Sequence, residues 1–411
     1  MTTNERTGAF DHLFTEAVQG SLGEPGYGNW RSIAAPDAVS LSYGFPYPDS
    51  LPNDELVAAA EAVFDVEGEQ ALQYGGGEYA DRLTDWIAER ARARGIDCRP
   101  SEVLVTNGAT QAVDTVCRAF LSPGESLFVE APTFMGALTL FENFGVEVSG
   151  FDVDSNGLDV DAVAAALRAR QRRGDRLPKL LYTIPNFQNP TGTTLSVARR
   201  KRLLELASSY DFLVLEDDAY GELRYDGGDV PTLRELDDEG RVLQIGSLAK
   251  TVAPGVRTGW LIGAEELLAE LAKLDAGGTN TFTRSLLGRY CTEGPFDEHL
   301  EELRESYERR RDHMLRCLER SMPAEATWTE PDGGFFVWVT LPSGVDTDEL
   351  LSTAADEGVT YLPGSLFFPD GATENGLRLA FSYASLDEIE RGVEALGRAS
   401  RTAIDAQPDA N

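Results

Sequence analysis

The sequence predicts an α/β fold, with one large and mostly parallel sheet followed by a smaller α+β module. Three observations predict it. From Val103 to Gly263, short apolar runs alternate with helical segments, as strands buried on both faces of a parallel sheet do. Strand and helix signals interleave there instead of clustering by type, which argues for crossover connections. After a long charged helix the character changes at TWTEPDGGFFVWVTLP to mixed strands and helices.

The elements follow in order. The first fifty residues read as irregular, rich in Gly, Pro, Ser and aromatics (GSLGEPGYGNW, LSYGFPYPDSLP). Asn53 is the expected N-cap of a helix over DELVAAAEAVF. A second helix is expected through YADRLTDWIAERARARG, stopping at Gly95. VLVTNG then reads as a strand, Ala109 to Phe120 as a helix, SLFVEAP as a strand and Met135–Phe144 as a helix. VEVSGFDV, KLLYTIP, FLVLEDD, VLQIGS and TGWLIG are further strands. A charged helix from Glu298 to Cys317 carries Arg304, Arg309, Arg310 and Arg311. VTYLPGSLFF, LRLAFSYA, a helix after Asp348 and a last helix complete the smaller module, and the tail from Ser400 reads as frayed. No internal repeat is visible.

The chain has 411 residues, room for one large domain and a smaller one. No stretch approaches the roughly 18–20 apolar residues of a membrane span. The N-terminus shows no basic segment leading into an apolar run. Cys98, Cys117, Cys291 and Cys317 are scattered, so neither a disulfide framework nor a zinc site is expected, and a reducing cytoplasm is. With only His12, His299 and His313, a histidine-rich metal centre or a Ser-His-Asp triad lacks raw material. No metal is expected.

The net charge is −33, and lysine occurs only at positions 179, 201, 250 and 273. The acidic residues run along the whole chain, which reads as a solvated acidic surface and not a docking tail. Charge of this size repels itself unless salt screens it, so a protein of a high-salt cytoplasm is expected. No basic stripe exists to neutralise nucleic-acid phosphates.

Chemistry concentrates between Asn186 and Trp260. That stretch holds Asn189-Pro190-Thr191-Gly192, Asp217-Asp218-Ala219-Tyr220, Ser247-Leu248-Ala249-Lys250 and Arg257-Thr258-Gly259-Trp260. A pyridoxal phosphate site needs this inventory: an amine, a carboxylate for the pyridine nitrogen, donors for the ring oxygen and cations for the phosphate. Lys250 follows a strand between Ser247 and Arg257, donors suited to phosphate. Cationic neighbours keep an amine nucleophilic, as Schiff-base lysines require. Asp217 ends a strand where parallel sheets place ligands, although a helix-capping role fits the dipeptide Asp217-Asp218 equally. Thr106-Asn107-Gly108-Ala109-Thr110-Gln111 follows a strand and opens a helix whose free amides suit an anion, although a plain strand–helix turn would look similar. Asn189 lies in a turn signal. Phe134 offers a ring for stacking, though an aromatic there also suits a core. Arg378 sits inside the apolar run LRLAFS and needs an anion, either a substrate carboxylate or an internal one.

Together these residues resemble fold type I pyridoxal-phosphate aminotransferases of classes I and II. Within them the chain is similar to the 2-aminoadipate and multi-substrate group, whose domain also occurs in MocR-type regulators. The resemblance runs from Ser40 to Leu396 through YPDSLP, LQYGGGEYADRL, TNGATQAVD, EAPTF, IPNFQNPTG, EDDAYGEL, GSLAKTVAPGVRTGW, PDGGFFVW and LRLAFS. It implies a large domain over 53–290 with a mostly parallel seven-stranded sheet. It also implies an N-terminal arm over 1–52 and a small domain over 291–411. Pyridoxal 5′-phosphate is the implied cofactor, and a homodimer with shared sites the implied assembly.

By motif, Lys250 would be the catalytic lysine, shuttling the proton between substrate and cofactor. Asp217 would pair with the ring nitrogen, Tyr220 and Asn189 with the ring oxygen, and Phe134 would stack on the ring. Gly108, Ala109, Thr110, Ser247 and Arg257 would hold the phosphate, with Tyr74 reaching over from the second subunit. Arg378, Asn189 and Gly44 would meet the substrate. Phe134 replaces a usual tyrosine, while Ala109 and Thr110 replace a frequent serine and glutamine, so cofactor binding leans on Ser247 and Arg257. Ala380 replaces a common asparagine after the carboxylate arginine. The implied reaction is ping-pong transfer from 2-aminoadipate, aromatic or branched-chain amino acids to 2-oxoglutarate. Arg31 is one candidate for a distal carboxylate, although a solvated helix arginine is the more ordinary reading. Alternatives are a β-lyase on the same fold, marked by ammonia release without acceptor, and a regulatory protein that binds the cofactor without turnover.

Overall fold

The computed structural model describes residues 10–14, 38–275, 277–371 and 375–406. In chain order the strands are β1 (Val39–Ser40), β2 (Val103–Thr106), β3 (Ser126–Ala131), β4 (Glu147–Asp154) and β5 (Gly157–Leu158). β6 (Leu180–Thr183), β7 (Leu213–Asp217), β8 (Val242–Ser247) and β9 (Gly259–Ile262) follow. They are succeeded by β10 (Thr327–Trp328), β11 (Phe336–Thr340), β12 (Val359–Thr360), β13 (Leu362–Pro363) and β14 (Gly376–Ala380). The large sheet has the order β2-β9-β8-β7-β6-β3-β4-β5. β8, β7, β6, β3 and β4 run parallel, β9 is antiparallel to both neighbours, and the two-residue β5 hangs as a hairpin on the edge of the other seven.

The apolar runs feed both faces of this sheet because successive strand side chains alternate. Leu127, Val129, Leu180, Tyr182, Leu215, Leu243 and Ile245 join one core, with the helices Glu78–Ala93 and Ala109–Phe120. Phe128, Leu181, Val214 and Val242 join a second core, with Val160–Arg173 and Val197–Tyr210. A four-stranded sheet of order β10-β11-β14-β13 forms the smaller unit. The N-terminal segment is tied to it, since β1 pairs with β12 and Ala380 N–H donates to the Leu41 carbonyl at 2.7 Å.

Most expected elements appear where the sequence places them, with differences at their ends. Asn53 is the first helical residue and Pro52 the cap, because Leu56 N–H closes the first turn on the Pro52 carbonyl at 3.0 Å. The charged helix extends over Phe296–Ser321, burying both end residues. The tail corrects the reading of a frayed end. Ser385 and Glu388 form a capping box, and the helix runs unbroken from Leu386 to Asp405. Ala399 and Ser400 are fully buried, and Arg401 Nη1 donates to the Ser321 carbonyl at 2.8 Å. SRTAID looks polar as a string, yet at helical spacing it presents a small-residue face that docks.

Candidate active site

The C-terminal ends of β3, β6, β7 and β8 lie on one side of the large sheet, and the antiparallel β9 begins on that side. Ligands of α/β folds bind at such ends. A cavity of about 220 Å³ opens there. Its lining brings together Gly44, Ala109, Thr110, Phe134, Asn189, Asp217, Tyr220, Ser247, Lys250, Arg257 and Arg378. Residues more than three hundred positions apart meet because β1 and the segment after it cross from the small unit over the end of the large sheet.

Lys250 lies in the turn after β8. Its Nζ donates to the Gly44 carbonyl at 3.0 Å and stands 5.7 Å from the ring centres of Tyr220 and Phe335. Desolvation lowers its pKa from 10.5 to about 8; the Arg378 and Arg257 charges act the same way, and Asp217 opposes them. Such an amine is partly neutral near pH 8 and available as base or nucleophile.

Asp217 is buried at the end of β7. Its Oδ2 accepts from Tyr182 Oη at 2.8 Å and its Oδ1 from Ala219 N–H at 3.2 Å. Burial raises its pKa, and these hydrogen bonds and the Lys250 charge pull it back. The three consecutive acids of EDD part company here. Glu216 points to the other side, accepting from the N–H groups of Leu233 at 2.8 Å and Arg234 at 2.9 Å. Asp218 turns away to Arg94, at 2.6 Å, and Asn186 Nδ2, also at 2.6 Å. Strand alternation thus puts Asp217, the aspartate that the motif resemblance also favours, into the cavity and turns Asp218 away from it.

The anion cup is built from the start of the helix Ala109–Phe120. Gly108 caps it with φ 91° and no side-chain cap bond, so the first helical amides are left for an anion. The Arg257 guanidinium lies against Gly108, where a Cβ would come within 2.9 Å of Nη2. Arg257 Nη2 also donates to the Asn107 carbonyl at 3.3 Å. Ser247 Oγ donates to the Thr258 carbonyl at 3.4 Å and accepts from Ala249 N–H at 3.1 Å. Arg378 is buried; Nη1 donates to Asn189 Oδ1 at 2.9 Å and Nη2 to the Ser42 carbonyl at 2.7 Å.

This donor set fits pyridoxal phosphate. An uncapped helix start with an arginine and a serine suits a phosphate, a buried carboxylate suits a ring nitrogen, and a lysine of lowered proton affinity stands between Asp217 and Arg378. Tyr74 is not brought to the cavity within one chain, lying fully exposed after the short helix Gly68–Leu72. Arg31 lies outside the described residues.

Sequence reasoning missed Ser42, Phe336, Tyr182 and Glu130. Glu130, at the end of β3, accepts from Thr183 Oγ1 at 2.5 Å, Ile184 N–H at 3.1 Å and Gln188 Nε2 at 3.1 Å. Burial pushes its pKa up to about 7. Gln188 Oε1 in turn accepts from Thr191 N–H at 2.9 Å, so Glu130 pins the Asn189–Gly192 turn through Gln188. The signal was present: a glutamate and a tyrosine inside the apolar strands SLFVEA and LLYT require buried partners.

The family model described as aminotransferase class I and II matches residues 36–396. Aromatic-amino-acid aminotransferase 1 of Thermococcus litoralis is 39% identical over 370 residues, covering 89% of this chain and 88% of the relative. The kynurenine aminotransferase of Pyrococcus horikoshii, solved in complex with PMP, superposes with a TM-score of 0.90 at 34% identity, covering 98% of this chain and 99% of that one. An alpha-aminoadipate aminotransferase of Thermus thermophilus, solved with N-(5′-phosphopyridoxyl)-L-leucine, gives a TM-score of 0.88 at 34% identity, covering 97% and 100%.

Proposed function

The chain belongs to the class I and II aminotransferase family, and from that premise we propose that it moves an amino group from an L-amino acid to a 2-oxo acid with pyridoxal 5′-phosphate as cofactor. One observation carries the reading. An amine of lowered proton affinity, a buried carboxylate and a buried guanidinium share one cavity beside an uncapped helix start.

Bound pyridoxal phosphate supplies the electron sink that lets the substrate's Cα–H bond break. The residues around it have separate tasks. Gly108, Ala109 and Thr110 would hold the phosphate with Ser247 and Arg257. Asp217 would keep a proton on the ring nitrogen, with Tyr182 fixing its carboxylate. Tyr220 and Asn189 would donate toward the ring oxygen and Phe134 would cover the ring face. Arg378 would hold the substrate's α-carboxylate in a charge-assisted pair. Lys250 Nζ, freed for acid–base work, would take the α-proton and return it. The Gly44 carbonyl would orient that amine.

Among the described lining residues, those without a cofactor role include Phe45, Met135, Ile184 and Leu362, all apolar. This favours aromatic and branched-chain donors, with 2-aminoadipate requiring a cation such as Arg31 from outside the described residues. 2-Oxoglutarate is the proposed acceptor. We take 53–290 as the large domain, and 1–52 with 291–411 as arm and small domain. In support, the large-sheet strands fall within 103–262 and the small sheet within 327–380. We further infer a homodimer to which Tyr74 contributes across the interface. We assign it to a high-salt cytoplasm, in keeping with the net charge of −33 and with no described helix long and apolar enough to cross a membrane.

The test is a visible absorption spectrum of the protein purified in high salt, followed by titration with a panel of L-amino acids. The expected result is a visible absorption band of bound cofactor that at least one amino acid abolishes. Lys250→Ala should lose transamination while keeping its fold and some cofactor. Retained turnover in that variant, or ammonia release without an acceptor in the wild type, would overturn the reading.

A further inference from the structure

We propose that Phe336 and Phe367 are positioning residues for this reaction. Their rings fix the Arg378 guanidinium and so set how tightly every substrate's α-carboxylate is held. The inference rests on the reading of Arg378 as the carboxylate anchor.

The placement follows from strand register. β11 and β14 pair antiparallel, with Phe336 opposite Ala380 and Trp338 opposite Arg378. Opposed residues share a face, as do alternate residues along a strand, so Phe336 and Arg378 are diagonal neighbours on one face. Phe367 arrives from the short helix Gly364–Phe367 after β13, and the Trp338 ring meets it edge-on at 6.0 Å. The Arg378 guanidinium carbon lies 4.1 Å from the Phe336 ring centre and 5.1 Å from that of Phe367. Both distances fall within the roughly 6 Å reach of a cation–π contact. Both rings are buried, where such contacts are strongest because water does not compete.

Arg378 also donates to two neutral oxygens, Asn189 Oδ1 and the Ser42 carbonyl. These contacts and the rings orient the guanidinium, and its charge lowers the proton affinity of Lys250. An arginine fixed in advance loses little rotamer freedom when a carboxylate arrives, and the saved entropy appears as affinity. Phe336 is itself wedged, since a Cβ on Gly44 would come within 2.6 Å of its Cζ. A tyrosine hydroxyl at that atom would collide, so leucine is the informative replacement.

The experiment measures steady-state constants for holoenzyme variants with L-phenylalanine, L-leucine and L-2-aminoadipate as donors and 2-oxoglutarate as acceptor. Phe336→Leu is expected to raise KM roughly tenfold for every substrate alike, the scale of a buried cation–π contact, with kcat changed much less. Phe367→Leu, whose ring stands farther off, is expected to raise them about threefold, and it carries the test if Phe336→Leu does not fold. The α-carboxylate is common to all substrates, so uniformity is the signature; an effect on one donor would make Phe336 a side-chain pocket wall and overturn the proposal. Unchanged KM in both variants, or a fall in kcat alone, would overturn it too. Arg378→Gln separates the two levels. If it leaves KM unchanged, the anchor reading itself fails; if it raises KM for all substrates while both leucine variants do not, only the ring inference fails.

Discussion

The proposed role of Lys250 needs an uncharged amine, and enclosing the side chain favours that state, with a consequence for stability. Its pKa falls from 10.5 to about 8 on folding. Below pH 8 the amine is protonated in both states and the folded state bears the whole desolvation cost. Between pH 8 and 10.5 the unfolded chain binds a proton that the folded chain has released, so stability rises with pH. Above pH 10.5 the cost is gone. The interval corresponds to roughly 3 kcal/mol as an upper estimate. Cofactor-free Lys250→Met is therefore expected to be more stable than cofactor-free wild type at pH 7 by up to about that amount. The gap should close by pH 10.5, as urea unfolding at several pH values would measure. A gap independent of pH would mean that the amine is not desolvated.

At the scale of elements, the start of β9 packs under the helix start proposed to hold the phosphate. A Cβ on Gly259 would come within 2.8 Å of both Ala109 N and Gly108 C, and within 2.9 Å of Gly246 O. All three are backbone atoms, so no side chain can swing aside. Gly259→Ala must push the helix start away from Ser247 and Arg257, at a cost of about 1–3 kcal/mol in stability. A displaced cup should also bind pyridoxal phosphate at least tenfold more weakly, about 1.4 kcal/mol, as a titration of the cofactor-free variant would reveal. Undiminished affinity would show that the helix start is not what holds the phosphate. These elements were legible in advance: Ala109–Phe120 and Val242–Ser247 have the bounds that periodicity gives them. The last helix was misread at Ser400 because its apolar face is made of Ala and Ser, which carry little hydrophobic signal.

The molecule as a whole is governed by its charge of −33. Many arginines are already engaged with nearby carboxylates, such as Arg82 with Glu78 and Glu293, and Arg320 with Glu390. The surplus acids repel one another across the surface. Raising salt from 0.1 to 1 M shortens the screening length from about 10 Å to about 3 Å, so the urea midpoint should climb with KCl over that range. A midpoint that is flat or falls with salt would remove the argument for a high-salt habitat. The sequence by itself determined the fold class, the order of elements and the reaction class. Those are carried by local periods and by short motifs whose residue types have few other uses. Tertiary structure alone decided what surrounds Arg378, that Tyr182 fixes the Asp217 carboxylate, and that Glu130 pins the Asn189–Gly192 turn through Gln188. Each of those depends on cross-strand register and burial between residues distant along the chain, and no local pattern encodes a distance.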